Sequence, residues 1–264
     1  MKNDGILTFV WMKDGWNSLL DNLHNILPAM LAFQVLAVAP SLLIWKHFDS
    51  RWYALPWEVF VGVPLAVGMN LFFINLVRRG RVDYGDLFRG FTVFPQTVIV
   101  SLAYGFMVTA GVIMIALPGK LFPQTTGFSL LYVLLAAMLI IPGIVWALAY
   151  IFAQYSVLDR RSGIKGSFTY SSRITYGFKE KLLPIGVLWL MLEILAPGIV
   201  TADGSVFQMR LILDLKPWVI TAFILKTFIF LPWLDMVMAQ AYVSLVKHND
   251  RQERDAKTAI ENAA

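Results

Sequence analysis

Glu193 and Lys226 are charged residues that lie deep within long apolar stretches of this 264-residue sequence. A charge in the middle of a membrane is costly, so such a residue usually has a partner or a function. Glu193 lies seven residues before Val200, and Lys226 lies eight residues after Trp218. In consecutive antiparallel helices, both would lie roughly 10–12 Å from the same end. We therefore predict an intramembrane charge pair, which either fixes the register of two helices or takes part in transport or proton relay.

Arginines form the second group of candidates, because they cluster in two of the polar connections between apolar stretches. A guanidinium group binds phosphate or carboxylate oxygens through two parallel hydrogen bonds, which suits an anionic lipid headgroup. The alternative is that these arginines only set the orientation of the chain in the membrane. The candidates for an anion-binding or lipid-binding site at the inner interface are Arg78, Arg79, Arg160, Arg161 and Arg173.

Residue patterns typical of catalysis and metal binding do not occur in the sequence. It contains no cysteine, and its three histidines, His24, His47 and His248, are scattered without the spacing of paired ligands. There is no glycine-rich phosphate loop and no GxSxG nucleophile motif. We therefore expect a protein that is not an enzyme, with no catalytic residues, no metal and no cofactor.

Composition indicates the elements that carry these candidates. Hydrophobic residues make up 58% of the chain and charged residues 15%, against about 45–50% and about 25% in soluble domains. A membrane-spanning helix needs about 20 apolar residues. Six stretches qualify, which predicts an all-α polytopic membrane protein with six transmembrane helices: Ile26–Trp45, Trp57–Val77, Thr97–Leu117, Leu130–Ile151, Leu182–Val200 and Val219–Val246.

Charge distribution predicts how the chain is oriented. Sixteen of the 22 lysines and arginines lie in the N-terminal segment, the second and fourth connections and the C-terminal tail, and five lie on the opposite side. This bias places both termini in the cytoplasm. Residues 1–25 then form a cytoplasmic amphipathic segment, 26–246 the transmembrane domain, and 247–264 a cytoplasmic polar tail. The net charge of +5 indicates contact with membrane lipids rather than nucleic acid.

The three segments that lead into a helix from the cytoplasmic side share one style. Each carries a glycine next to an aromatic residue and, further on, a proline that suits the first turn of the next helix. We predict amphipathic helices at the membrane surface, here called elbow helices, and one interpretation is three repeats of an elbow and a helical hairpin. The alternative is that amphipathic connectors simply lie among the headgroups. The glycine–proline pairs are Gly15 and Pro28, Gly90 and Pro95, and Gly177 and Pro184.

Helix-breaking residues also occur inside the apolar stretches. We predict breaks at Pro142 and Gly143 in the fourth stretch and at Pro232 in the sixth. Transporters use interrupted helices to build binding sites in the middle of the membrane. Isolated proline kinks also occur in ordinary membrane helices, so both interpretations stay open.

Several short motifs occur along the second half of the chain and its middle connections. They are Val77–Phe91, Ile141–Ile144, Val157–Asp159, Ser171-Ser172, Gly177–Lys179, Leu231–Trp233 and Ala241-Tyr242. In their order and spacing they resemble a family of six-span bacterial membrane proteins that is similar to the membrane domain of some glycerophosphodiester phosphodiesterases. The resemblance covers roughly residues 60–245 and implies six helices, a location in the bacterial inner membrane and elbow-like connectors, but no known activity.

Together, these observations predict a non-enzymatic integral inner-membrane protein. It would bind lipid or a membrane-protein partner in envelope homeostasis or assembly. The alternative is a small secondary transporter or channel that uses Glu193 and Lys226.

Overall fold

The computed structural model describes residues 7–121, 143–196, 198–204 and 209–263, and this part of the chain is overwhelmingly helical. A 3₁₀-helix, Tyr84–Val93, connects α3 and α4. A β-hairpin of β1 (Val200–Gly204) and β2 (Met209–Leu213) follows α7. The helices are α1 (Thr8–Asp21), α2 (Leu23–Phe48), α3 (Arg51–Arg79), α4 (Phe94–Leu121), α5 (Gly143–Asp159), α6 (Gly163–Thr175), α7 (Lys179–Leu195) and α8 (Pro217–Asn262).

Four helical stretches are long and apolar enough to cross a membrane, namely Leu23–Phe48, Arg51–Arg79, Tyr84–Val108 and Pro217–Asn262. They overlap the first, second, third and sixth predicted spans, the third over residues 97–108. Most of the fourth predicted span, Leu130–Ile151, lies outside the described residues.

The fifth predicted span, Leu182–Val200, differs from the structure. Its helix ends at Leu195, and Val200 already belongs to β1. Ala196 has an extended backbone with φ −93° and ψ 106°, as expected for a residue that precedes a proline. The antiparallel register then pairs Val200 with Leu213 and Gly204 with Met209. The two strands are an exception to the predicted all-α fold.

Three long helices contain a π-helical turn, and in each case a proline follows two residues later. The turns are Gln34–Val38 in α2, Glu58–Gly62 in α3 and Lys226–Phe230 in α8, and the prolines are Pro40, Pro64 and Pro232. A proline ring lacks an N–H and collides with the carbonyl four residues before it. The wider π turn makes room for that ring. Pro232 therefore does not end α8, which continues beyond it, and the irregularity predicted there takes the form of a π turn.

The core forms where α1, α3 and α5 meet the middle of α8. Phe72, Ile74, Phe152 and Tyr242 are almost completely buried there. Helix α1 is part of this core, because it buries Trp11, Gly15 and Leu19.

Helix α1 is fixed to α8 by close contacts along its length. The indole Nε1 of Trp233 donates a hydrogen bond to the carbonyl oxygen of Met12 at 3.1 Å. One turn further along, a Cβ at Gly15 would lie only 2.7 Å from Val237 Cγ2. The missing side chain at Gly15 thus permits the close approach of the two helices.

The 3₁₀-helix lies directly on α3 through two reciprocal glycine contacts. A Cβ at Gly68 in α3 would lie 2.0 Å from the carbonyl oxygen of Leu87, and a Cβ at Gly90 would lie 2.0 Å from that of Pro64. The Asp83 side chain caps the start of the 3₁₀-helix by accepting a hydrogen bond from the Gly85 N–H at 2.9 Å. The packing of the 3₁₀-helix on α3 fixes the position of Arg89 next to Arg78 and Arg79, at the end of α3.

We expect Gly68→Ala to destabilise the protein by about 1–3 kcal/mol, because the added methyl group must displace backbone rather than a flexible side chain. The matched control is Gly186→Ala in α7, where a Cβ would meet nothing within 4 Å and alanine is the better helix former. Thermal unfolding in detergent, followed by tryptophan fluorescence, measures both variants. Equal melting temperatures for the two variants would contradict the close packing of the 3₁₀-helix on α3.

Candidate anion-binding site

The carboxylate of Asp159, at the end of α5, joins three helices. Arg78, near the end of α3, forms two parallel hydrogen bonds with it: Nη1 contacts Oδ1, and Nη2 lies 2.8 Å from Oδ2. The phenol of Tyr242 in α8 donates to the same Oδ2 at 2.8 Å. The Asp159 side chain is only 7% exposed and Tyr242 is fully buried. Since a buried carboxylate needs partners, this contact fixes the ends of α3 and α5 against α8. We call the region around Arg78, Asp159 and Tyr242, where α3 and α5 end beside α8, the basic end.

Two further arginines at the basic end bind the polar extension of α8. Arg160 contacts the Asp250 carboxylate at 2.9 Å, and Arg173 in α6 contacts Glu253 at 3.1 Å. Both guanidinium groups lie over the ring of Tyr170, at 5.3 and 5.2 Å from its centroid. Burial raises the pKa of the Tyr170 phenol, so this ring stays neutral between its two cations. The charges of Arg160 and Arg173 are thus balanced within the protein.

Hydroxyl groups of α6 satisfy the backbone of α5 where that helix is interrupted. Ser171 Oγ accepts from the Phe152 N–H at 3.1 Å and donates to the Ala149 carbonyl at 2.9 Å. Thr175 Oγ1 donates to the same carbonyl at 3.1 Å. These bonds hold α6 across α5 and set the direction in which the Asp159–Arg161 segment leaves the helix.

Arg161 has an unusual backbone conformation at this point. Its φ is +47°, in the left-handed region that glycine usually occupies just after a helix. An arginine in that region is less stable than glycine by about 1 kcal/mol. The left-handed residue turns the chain sharply and places Arg161 beside the end of α3, where a small pocket lies.

This pocket, here called the arginine pocket, has a volume of about 220 Å³. Its charged lining comprises four arginines and one carboxylate, that of Asp159. The apolar part of the lining comes from Leu71, Val93 and Leu158. The four arginines are Arg78, Arg79, Arg89 and Arg161.

Two of these four arginines have ion-pair partners. Arg78 is paired with Asp159, and Arg89 lies 3.0 Å from Asp86 and 3.3 Å from Asp83. Asp86 is buried and also accepts a hydrogen bond from Asn75 at 2.6 Å. Neither Arg79 nor Arg161 has an ion pair with any residue that the structure describes. The arginine pocket can therefore receive an anion without first losing an internal contact.

The structure thus separates the five arginines that the sequence grouped together. Arg78, Arg79 and Arg161 line the arginine pocket, whereas Arg160 and Arg173 hold the extension of α8. Sequence reasoning missed Arg89, although it lies in the same connection as Arg78 and Arg79. It also missed Asp250 and Glu253 as partners, because they lie in a tail that shows no periodic pattern.

A larger groove of about 1090 Å³ lies between α6 and the extension of α8. Its lining includes Phe168, Arg173, Phe178 and Glu253. Because Arg173 and Glu253 are paired with each other, the groove offers fewer free charges than the smaller arginine pocket. We therefore place the candidate site in the arginine pocket.

Glu193 and Lys226 are in direct contact. Lys226 Nζ donates to Glu193 Oε2 at 2.7 Å, linking α8 to α7. The Lys226 side chain is 12% exposed and that of Glu193 is 37% exposed. Lys226 is also the first residue of the π turn in α8. Removing the lysine alone would leave a partly buried carboxylate without its cation.

Of the predicted helix breaks, Pro142 lies outside the described residues. Gly143 begins α5, and a Cβ at this position would meet nothing within 4 Å. Within the described ranges, no group of three or more His, Asp and Glu side chains is placed to hold a metal ion.

Comparisons with protein-family models, curated proteins and solved structures found no match to this chain. The resemblance to the six-span bacterial membrane family stays a prediction.

We expect Asp159→Asn to lower stability by about 1–3 kcal/mol, less than the cost of breaking a fully buried pair because Arg78 keeps some solvent contact. The matched control is Asp214→Asn, which removes an exposed pair with Lys216 and should change stability by less than about 1 kcal/mol. Thermal unfolding in detergent compares the two variants. If Asp159→Asn unfolded no earlier than Asp214→Asn, the carboxylate would not be the structural link described above.

We expect Lys226→Met to be destabilising and the double variant Glu193→Gln/Lys226→Met to regain part of the loss, because the second change removes the unpaired carboxylate. Thermal unfolding of both variants checks this. A Lys226→Met variant as stable as the natural protein would contradict a structural role for the pair. Ion-flux measurements in proteoliposomes, on the same double variant, test the transport interpretation.

Proposed function

We propose that this protein is an integral membrane protein that binds anionic lipid in the arginine pocket. The observation that carries the proposal is the presence of two arginines, Arg79 and Arg161, that have no ion pair among the described residues, beside two paired ones in one small pocket. Arginine suits a lipid phosphate because its fork of N–H donors matches the phosphate oxygens.

The position of the arginine pocket supports a lipid rather than a dissolved anion. It lies where the apolar stretch of α3 ends in Arg78 and Arg79 and where α4 follows the 3₁₀-helix. If these stretches span the membrane, the pocket lies at the depth of the headgroups. Leu71, Val93 and Leu158 would then face the glycerol and upper acyl region of the same lipid.

The charge bias of the sequence supports a cytoplasmic position for the basic end, since lysine and arginine accumulate on the inner side of bacterial membrane proteins. The inner leaflet also carries the negative surface potential that attracts such groups. On this proposal, the protein acts through lipid binding in the inner membrane, without catalysis. Its six-span topology and elbow helices belong to the same proposal.

The arrangement of the other arginines supports this division of roles. Arg160 and Arg173 are paired with the extension of α8, so a lipid would have to displace Asp250 or Glu253 to reach them. Arg79 and Arg161 need no such exchange. Binding should therefore depend on these two residues more than on the total positive charge of the basic end.

We expect Arg79→Gln/Arg161→Asn to weaken binding of anionic lipid roughly 30-fold, at about 1 kcal/mol for each arginine near a membrane surface. Asparagine is chosen at position 161 because it tolerates the left-handed backbone. Native mass spectrometry of the protein in nanodiscs, with phosphatidylglycerol diluted into phosphatidylcholine, counts the lipids retained.

The matched control is Arg251→Gln/Arg254→Gln, which removes the same charge from the exposed extension of α8. It should retain lipid as the natural protein does. An equal loss of lipid in both double variants would mean that net charge, rather than the arginine pocket, controls binding.

A further inference from the structure

We propose that the arginine pocket prefers a phosphate monoester to a phosphodiester, so that its ligand is a terminal phosphate group. This inference rests on the proposed function, because it names the chemical class that the same pocket takes. It follows from the number of unpaired charges, the number of donors and the volume available.

Internal pairing leaves part of the arginine charge without compensation. Asp159 balances Arg78, and the buried Asp86 balances Arg89; the second carboxylate beside Arg89, that of Asp83, is 60% exposed, so water screens its charge. Arg79 and Arg161 remain, so two positive charges of the lining have no counter-charge among the described residues. A phosphate monoester carries about −1.5 to −2 at pH 7, whereas a diester carries a single negative charge. The monoester is the better match.

The number of hydrogen-bond donors in the arginine pocket also favours a terminal phosphate. Each guanidinium group presents several N–H donors in a fixed plane and binds best through two parallel bonds. Two guanidinium groups that each form two parallel bonds to one ligand need more acceptor oxygens than the two free oxygens of a phosphodiester. A terminal phosphate presents three free oxygens, which allows Arg79 and Arg161 to bind it from two directions.

The size of the arginine pocket also favours a terminal phosphate. At about 220 Å³, the arginine pocket is smaller than typical sites for drug-sized ligands, which begin at about 300 Å³. A diester headgroup brings a second substituent on its phosphorus, such as glycerol or ethanolamine, into the same space. A terminal phosphate brings none, because its phosphorus carries a single ester link.

A terminal phosphate group can come from two sources. One is a lipid whose headgroup is a bare phosphate, as in phosphatidic acid, and the other is a phosphate dissolved in the aqueous phase. Both share the chemistry that the arginine pocket recognises, so the experiment must include both. If the arginine pocket lies near the membrane surface, the effective concentration of the phosphate-bearing lipid at the pocket is high.

The experiment uses the full chain in phosphatidylcholine nanodiscs that contain equal, small fractions of phosphatidic acid and phosphatidylglycerol with matched acyl chains. Native mass spectrometry separates the two adducts by mass. We expect phosphatidic acid to be retained about fivefold to tenfold more often at pH 7.5, corresponding to one additional charge near two arginines. The preference should fall as the pH drops through about 6, where the monoester takes up its second proton.

The variants distinguish this inference from the proposed function. In Arg79→Gln/Arg161→Asn, the preference for phosphatidic acid should disappear, while Arg251→Gln/Arg254→Gln should retain it. Equal binding of both lipids by the natural protein, lost in the pocket variant, would overturn the monoester preference and leave the proposed function standing. Binding of both lipids that the pocket variant does not change would overturn both.

The aqueous source is tested by adding inorganic phosphate at millimolar concentration to the same nanodiscs. Displacement of phosphatidic acid from the natural protein, but no displacement by an equal ionic strength of chloride, supports the monoester class with a soluble ligand. Retention of phosphatidic acid under both salts supports the lipid as the ligand. Displacement by chloride to the same extent would overturn a specific phosphate site. Melting temperatures close to that of the natural protein confirm that each variant is folded.

Discussion

The carboxylate of Asp159 is the constraint on which the basic end depends. It lies almost out of reach of water, so it needs strong partners, and it takes one from each of two other helices. Arg78 approaches from α3 and Tyr242 from α8, which leaves little freedom in how the three helix ends are placed. Arg161 follows two residues later and lines the arginine pocket. The position of Asp159 therefore also determines where this wall of the pocket lies.

A division of roles among the arginines follows from this constraint. Arg78, Arg160 and Arg173 are held by carboxylates of the same chain, and their positive charge stabilises the arrangement of the helices. Arg79 and Arg161 lie in the same framework and have no carboxylate partner in the part of the chain that the structure describes. The arginines of the basic end therefore differ in whether they are free to bind an anion. Some are already paired with carboxylates of the protein, and others are not.

Much of the helical architecture could be predicted from the sequence, because apolar length reports directly on helices that suit a membrane. The proximity of Glu193 and Lys226 also followed from depth along two consecutive helices. Pairing between distant segments was out of reach: Arg160 and Asp250 lie 90 residues apart, and no periodicity links them. The hairpin after α7 was missed because Val200 continues an apolar run, although Pro197 signals that the helix must stop earlier.

The continuity of α8 has a mechanical consequence. Its 46 residues form a rod roughly 69 Å long, with Lys226 near one end and Asp250 and Glu253 near the other. Beyond the π turn and Pro232, backbone hydrogen bonds along α8 resist twisting, so rotation of its polar extension is transmitted along the helix toward Tyr242. A ligand that pulled Arg160 away from Asp250 would therefore apply torque to α8 at Tyr242, and so to the hydrogen bond that Tyr242 donates to Asp159.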